Sequence, residues 1–179
     1  MITIFSDKHR LRNAKTELYG GQLVSPFESP SRADIVIERV KSEKLGKVVE
    51  PRAFGIDPVL AIHDAGFVEF LQNVWNEWLQ TGFEGEAIPS CWPARRMSQR
   101  IPKHIEGKVG YYSISSETSI SKGTWEAAVV SKDVALTGVR LTLANKVLAD
   151  TMVSAKEVAT KETETLKAVH SAQKLWQLR

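Results

Sequence analysis

A chain of 179 residues with 42% apolar side chains has the length of one domain, or of a piece of a larger one, and enough apolar material to exclude bulk disorder. Its 24 basic and 21 acidic residues give a formal charge of +3, too mild for a nucleic-acid-binding protein, which gathers basic residues on one face. The single cysteine, Cys91, excludes an intramolecular disulfide and fits a reducing cytoplasm.

The chain opens Met1-Ile2-Thr3-Ile4-Phe5 and then meets Asp7, Lys8, His9 and Arg10. That leaves no signal-peptide core, and no later apolar run approaches membrane length, so a soluble cytoplasmic protein is expected. Ile2 to Phe5, short, apolar and β-branched, predicts a buried strand. Ser6 to Glu28 is polar, with Gly20-Gly21 and Pro26 as breakers, and predicts a long loop, a kind that is usually functional or disordered. Pro30-Ser31 opens a helix through Lys44 that Gly46 stops, with Ile35-Val36-Ile37 and Val40 on its apolar side. Val48-Val49 reads as a short strand closed by Pro51. Asp57-Pro58 reads as an N-cap followed by a proline at the first helical position. Phe67, Phe70, Leu71, Val74, Trp75 and Trp78 recur at helical spacing; Gly66 divides this stretch and Gly82 ends it.

From Thr81 to Gly123 the chain holds five glycines and three prolines, which predicts a second long loop with a short strand near Val109 to Tyr112. Thr124 is placed to cap the next helix, with Glu126 in its first turn. After Gly123 there is no proline and one glycine, Gly138. A patchy stripe from Leu136 to Trp176 predicts one or two helices, interrupted by the polar stretch Thr160 to Thr165.

Several strings are specific enough to compare with known sequences. They are Leu11-Arg12-Asn13-Ala14-Lys15-Thr16-Glu17-Leu18-Tyr19-Gly20-Gly21, His63-Asp64-Ala65-Gly66-Phe67, Ile101-Pro102, Ile105-Glu106-Gly107, Gly110-Tyr111-Tyr112, Glu117-Thr118 and Gly123-Thr124-Trp125-Glu126-Ala127-Ala128. Together they resemble the opening of the acetylpolyamine amidohydrolases, a bacterial branch of the zinc-dependent histone deacetylase superfamily. The resemblance runs over residues 1–144, well under half of a full-length member, and leaves 145–179 as a divergent helical tail. It implies an α/β fold: an incomplete arginase–deacetylase-type three-layer architecture, helix-rich in this portion, with a few short parallel strands. The family chemistry it implies is hydrolysis of an N-acetyl amide, in which zinc polarises the carbonyl and activates water, a histidine pair moves protons and a tyrosine donates to the oxyanion. Residues 81–123 are similar to the family's long insertion, which builds a dimer contact and narrows the substrate channel.

The resemblance assigns three substrate-channel residues: Tyr19 in the first loop, Glu106 and Glu117 in the second. A polyamine is a flexible polycation, and carboxylates spaced along a channel with an aromatic face suit it. On residue chemistry alone, Glu106 is an ordinary loop carboxylate, Glu117 a charge favoured just upstream of a helix N-terminus, and Tyr19 a cover for a loop.

The resemblance stops at Ala144. Where the family carries Pro-Gly-His-His, this chain reads Asn145-Lys146-Val147-Leu148-Ala149-Asp150-Thr151-Met152. The zinc-binding Asp-x-His and the Gly-Gly-Tyr context of the catalytic tyrosine also have no counterpart. The one literal Asp-x-His, Asp7-Lys8-His9, follows the first strand, and a strand-end aspartate with a packed histidine is the expectation there. Catalytic zinc takes three protein ligands. No zinc is therefore expected on this chain, and no catalytic or metal residue is assigned. His63 is expected in a core or at a helix end, and His104 and His170 in solvent. Cys91 lacks a base that would make it a nucleophile. Arg95, Arg96, Arg100 and Lys103 are expected to form a solvated loop face.

Two readings follow. In one, the chain is a truncated or frame-disrupted portion of a deacetylase for acetylated polyamines or related N-acetyl amines, inactive alone. In the other, it is a small assembly module that dimerises with itself or with a full-length deacetylase. Neither involves nucleic acid or a membrane.

Overall fold

The computed structural model describes residues 1–149 apart from 95, 97 and 118, with side chains as far as residue 144. Its elements run β1 (Ile2–Ile4), a 3-10 helix (Asp7–Leu11), β2 (Glu17–Tyr19), β3 (Gln22–Val24), α1 (Pro30–Ser42), β4 (Lys47–Val49), α2 (Asp57–Leu60), α3 (Ala65–Gln80), α4 (Ile105–Tyr112) and α5 (Thr124–Ala149). β1 and β4 pair in parallel, Thr3 opposite Val48, while β2 and β3 form a separate antiparallel hairpin. A parallel pair needs a crossover, and α1 supplies it.

The stretch expected to be one long loop from Ser6 to Glu28 is therefore built structure. Gly20 and Gly21 both take positive φ, +58° and +79°, and close a two-residue turn between β2 and β3. Glycine adopts that geometry without a Cβ penalty, and the turn's twist matches that of the strands it joins. The apolar alternation beside the turn is too short to have announced a hairpin.

α1 starts at Pro30, where a missing N–H costs nothing, and ends where Lys44 and Gly46 turn to positive φ. Asp57 lies in the first turn of α2, after Ile56 in the cap position, and so is not the N-cap. The cap that works is Asp64: its carboxylate accepts the Phe67 amide at 3.0 Å and starts α3. Gly66 lies inside α3, so the division from α2 falls just before it.

The buried cluster lies between α3 and α4. Phe70 and Val74 of α3 meet Ile105 and Val109 of α4, with Ala87 and Ile120 closing it. Ala87 and Ile120 exchange backbone hydrogen bonds at 2.9 and 3.0 Å, tying the two ends of the 81–123 segment together. Val74 is 1% exposed, which stabilises by about 1.5–3 kcal/mol through apolar burial. Val109 to Tyr112, expected as a strand, is helical because Ile105 and Val109, four apart, both face α3. β1 was expected to be buried, yet Ile2 is exposed and Ile4 only half-buried.

Candidate functional site

The β2–β3 hairpin carries the first candidate. Tyr19 ends β2 and is 58% exposed, its ring set edge-on to Phe27 with centroids 6.2 Å apart. Glu17, two residues earlier on the same face of β2, is buried, and its Oε1 accepts the Phe27 amide at 3.4 Å. Strand alternation puts these two side chains on one face and Leu18 on the other. The hairpin thus presents an exposed aromatic pair next to a carboxylate withdrawn from water. Sequence reading passed over Glu17 because the segment was expected to be loop; the i, i+2 spacing of Glu17 and Tyr19 about Leu18 was the available signal.

Glu86 fixes this hairpin to the 81–123 segment. Its two oxygens accept the Lys15 amide at 2.6 Å and the Thr16 hydroxyl at 2.5 Å. Burial alone raises the Glu86 pKa. The bonds from Thr16 and Lys15 and from its own backbone outweigh that, so the carboxyl is held below the usual carboxylate range.

Glu106 and Glu117 both lie in the 81–123 segment and are exposed. Glu106 is in the first turn of α4, where a carboxylate complements the helix dipole. Glu117 sits in a turn, its amide donating to the Ser115 hydroxyl at 3.0 Å. Among the described residues no hydrogen bond or ion pair joins Tyr19, Glu106 and Glu117 to one another.

The Asp7–His9 pair has other partners. His9 Nδ1 faces the Ser6 carbonyl at 2.9 Å, and Nε2 faces Asp34 Oδ1 at 3.1 Å and the Pro30 carbonyl at 3.2 Å. Its ring packs on Phe5. Asp7 accepts Arg10 Nη1 at 2.6 Å. Arg10 also bonds Asp34, and that bond above all holds its pKa above the usual value. Both imidazole nitrogens are thus directed at oxygen atoms of the protein. Among the described residues, no group of three or more His, Cys, Asp or Glu side chains is placed to hold a metal ion.

The remaining candidates fall where packing puts them. His63 follows α2 and packs against Phe67, the rings tilted with centroids 5.7 Å apart. His104 is exposed at the start of α4, and Arg96, Arg100 and Lys103 are exposed as a loop face. His170 and Arg95 lie outside the described residues. Cys91 is exposed and free. Two open clefts flank the start of α5, one of about 310 Å³ against α3 and one of about 460 Å³ against α1.

Over 141 residues the chain is 51% identical to an acetylpolyamine amidohydrolase of Mycoplana ramosa, covering 79% of this chain and 41% of that protein. Acetylpolyamine amidohydrolase 2 of Pseudomonas aeruginosa is 49% identical over 138 residues, 77% of this chain and 40% of its own length. A crystal structure of an acetylpolyamine aminohydrolase from Burkholderia pseudomallei superposes with a TM-score of 0.69 at 25% identity, over 79% of this chain and 41% of that one. This chain is similar to the N-terminal portion of the acetylpolyamine amidohydrolases over 79% of its length. Its fold is correspondingly a part of the arginase–deacetylase α/β architecture. The chain spans about two-fifths of the length of the curated relatives it matches. No family model matches it. Among the described residues no helix is long and apolar enough to cross a membrane.

Proposed function

We propose that this chain forms part of the substrate-receiving wall of a cytoplasmic hydrolase for acetylated polyamines or related N-acetyl amines, and that its own residues do not cut the amide. The observation that carries this reading is the β2–β3 hairpin, where the exposed Tyr19–Phe27 pair stands beside the buried Glu17 carboxylate. An ammonium group gains from an aromatic face, and more when a carboxylate of low solvation is near. Tyr19, Glu106 and Glu117 are the contacts assigned to the guest, with Glu17 added from the fold. The names of the relatives support the substrate class. The sequence after Ala144, which lacks the family's paired histidines, supports the inactivity.

Titration of the purified chain with N-acetylputrescine, followed by NMR, tests the first part. Shifts are expected at Tyr19 and Glu17, weakening with salt as charge pairing does and lost in Tyr19→Ala. Absence of saturable shifts at millimolar ligand would reject it. Release of acetate by the chain, at a chelator-sensitive rate, would reject the second part.

A second reading, assembly with another polypeptide, is favoured by a different observation: no residue of the parallel β1–β4 pair is buried.

A further inference from the structure

Residues 12–16, just before β2, lie against the two ends of the 81–123 segment where these ends meet. Ala87 and Ile120 join the ends by backbone bonds at 2.9 and 3.0 Å. The residue before each of them reaches the first segment. Glu86 accepts the Lys15 amide on one oxygen and the Thr16 hydroxyl on the other, at 2.6 and 2.5 Å. The Ser119 carbonyl accepts Arg12 Nη2 at 3.4 Å. Tyr19 follows Thr16 by three residues and Glu117 precedes Ser119 by two, so the aromatic and the carboxylate extend from one junction.

Glu86 makes the strong bonds of this junction. They are short and end on an ionised acceptor, whereas the Arg12 bond is longer than a good N–H···O contact. Packing does not take their place at the hairpin, where Tyr19 is 58% and Leu23 65% exposed. Glu117 is likewise exposed, in a turn. Two exposed contacts on separate arms grip one guest jointly only when their separation is held, because the second contact then forms at a high effective concentration. N-acetylputrescine carries one ammonium group and meets one arm at a time. N1-acetylspermidine carries two and can meet both.

We propose that Glu86 is a positioning residue: it holds the Tyr19 hairpin and the Glu117 turn at a set separation, and so selects acetylated amines with two ammonium groups over those with one. The inference rests on the substrate-receiving reading and adds to it a residue that touches no guest. Glu86 acts through the Lys15 amide and the Thr16 hydroxyl, which fix where β2 begins, and through its chain neighbour Ala87, which fixes Ile120 and with it the arm that carries Glu117.

The test combines two measurements on the full chain. One is NMR titration with N1-acetylspermidine and with N-acetylputrescine. The other is the distance distribution between spin labels at the exposed positions Gln22→Cys and Ile114→Cys, in a Cys91→Ser background. In Glu86→Ala the two-ammonium amine is expected to weaken about fivefold or more and the one-ammonium amine by less than about twofold, while the label distances broaden. Glu86→Gln, whose amide still accepts from Lys15 and pairs with the Thr16 hydroxyl, is expected to restore both readings. Glu84→Gln, at an exposed position two residues earlier, is expected to change neither. A merely structural loss would weaken the two amines alike, and that result overturns the proposal, as do label distances that do not broaden. If Glu86→Ala unfolds, Thr16→Val, which removes one of the two bonds, takes its place under the same criteria. A chain that binds both amines with a preference indifferent to Glu86 overturns this inference and leaves the substrate reading standing. An unaltered chain that binds neither amine overturns both, and that is seen before any variant is made.

Discussion

Asp133, buried in α5, accepts the Phe54 amide at 3.1 Å across 79 residues of sequence. One turn further along α5, Thr137 Oγ1 accepts the Arg52 amide at 2.9 Å and itself donates to the Asp133 carbonyl at 2.7 Å. Lys132 adds a bond from Nζ to the Gly55 carbonyl at 2.6 Å and an ion pair with Asp133 at 2.7 Å. The chain after β4 is irregular, so its amides have no ladder to join, and α5 supplies their partners. Asp133→Ala leaves the Phe54 amide without its acceptor. A loss of about 1–3 kcal/mol is expected, read as a lower urea midpoint, with Thr137→Val losing less because it frees the Arg52 amide but keeps the Lys132–Asp133 ion pair. An Asp133→Ala midpoint equal to that of the unaltered chain would show that the segment is not held this way.

Gly110 makes a second long-range contact through what it lacks. A Cβ there would fall on the Cys91 carbonyl oxygen. Alanine is the better helix former by about 1 kcal/mol, so an isolated α4 would gain from Gly110→Ala. The overlap is with backbone, which has no rotamer to change, and the net effect is expected to be a loss of about 1–3 kcal/mol. Gly85→Ala is the control: nothing lies within 4 Å of the added Cβ, and its φ is not positive. Its midpoint is expected to move by less than about 0.5 kcal/mol. A stabilised Gly110→Ala would mean the 91–94 segment does not pack on α4.

These contacts show where the sequence was informative. α1, α3 and the start of α5 were readable because their apolar spacing, stop glycines and first-turn residues agree with one another. β1 and β4 were readable as strands from β-branched content, but their exposure was not, since exposure depends on which other elements pack against them. The β2–β3 hairpin was hidden because six strand residues carry too little alternation, although Gly20-Gly21 was the local signal. α4 was misread as a strand because Val109-Gly110-Tyr111-Tyr112 has strand-like composition, and only the facing α3 surface decides for helix. At the site, Tyr19 and both loop glutamates were named from motif resemblance. Glu17 needed the fold, since burial of a carboxylate is a tertiary property.

Glu86 makes the hairpin's attachment acid-sensitive. Its carboxyl titrates below the usual carboxylate range, because the bonds from Thr16 and Lys15 outweigh the effect of burial. A carboxyl with a lowered folded-state pKa contributes stability above its unfolded pKa and loses it as pH falls through the folded one. The unaltered chain should therefore lose more stability than Glu86→Gln on acidification from pH 7 into the carboxylate range. The gap between them closes at the acid end. Parallel pH profiles for the two proteins would show that the Lys15 and Thr16 bonds are not held in solution.

Tyr112 sets the alkaline counterpart. Its ring stacks on Phe70 at 4.8 Å between α4 and α3. Burial first, then the charges of Asp64, Tyr111 and Glu69, push its phenol above the usual value of 10.0. The neutral form is thus favoured in the folded chain. Its stabilisation is whole below the unfolded-state pKa and is lost as pH rises through the folded one. Absorbance titration near the phenolate band should show one of the chain's three tyrosines ionising late, and Tyr112→Phe should remove that component. The same substitution keeps the ring stack and deletes the ionisable group, so it should also hold its stability further into alkali. A late-titrating phenol that survives in Tyr112→Phe would assign the raised phenol to a different residue.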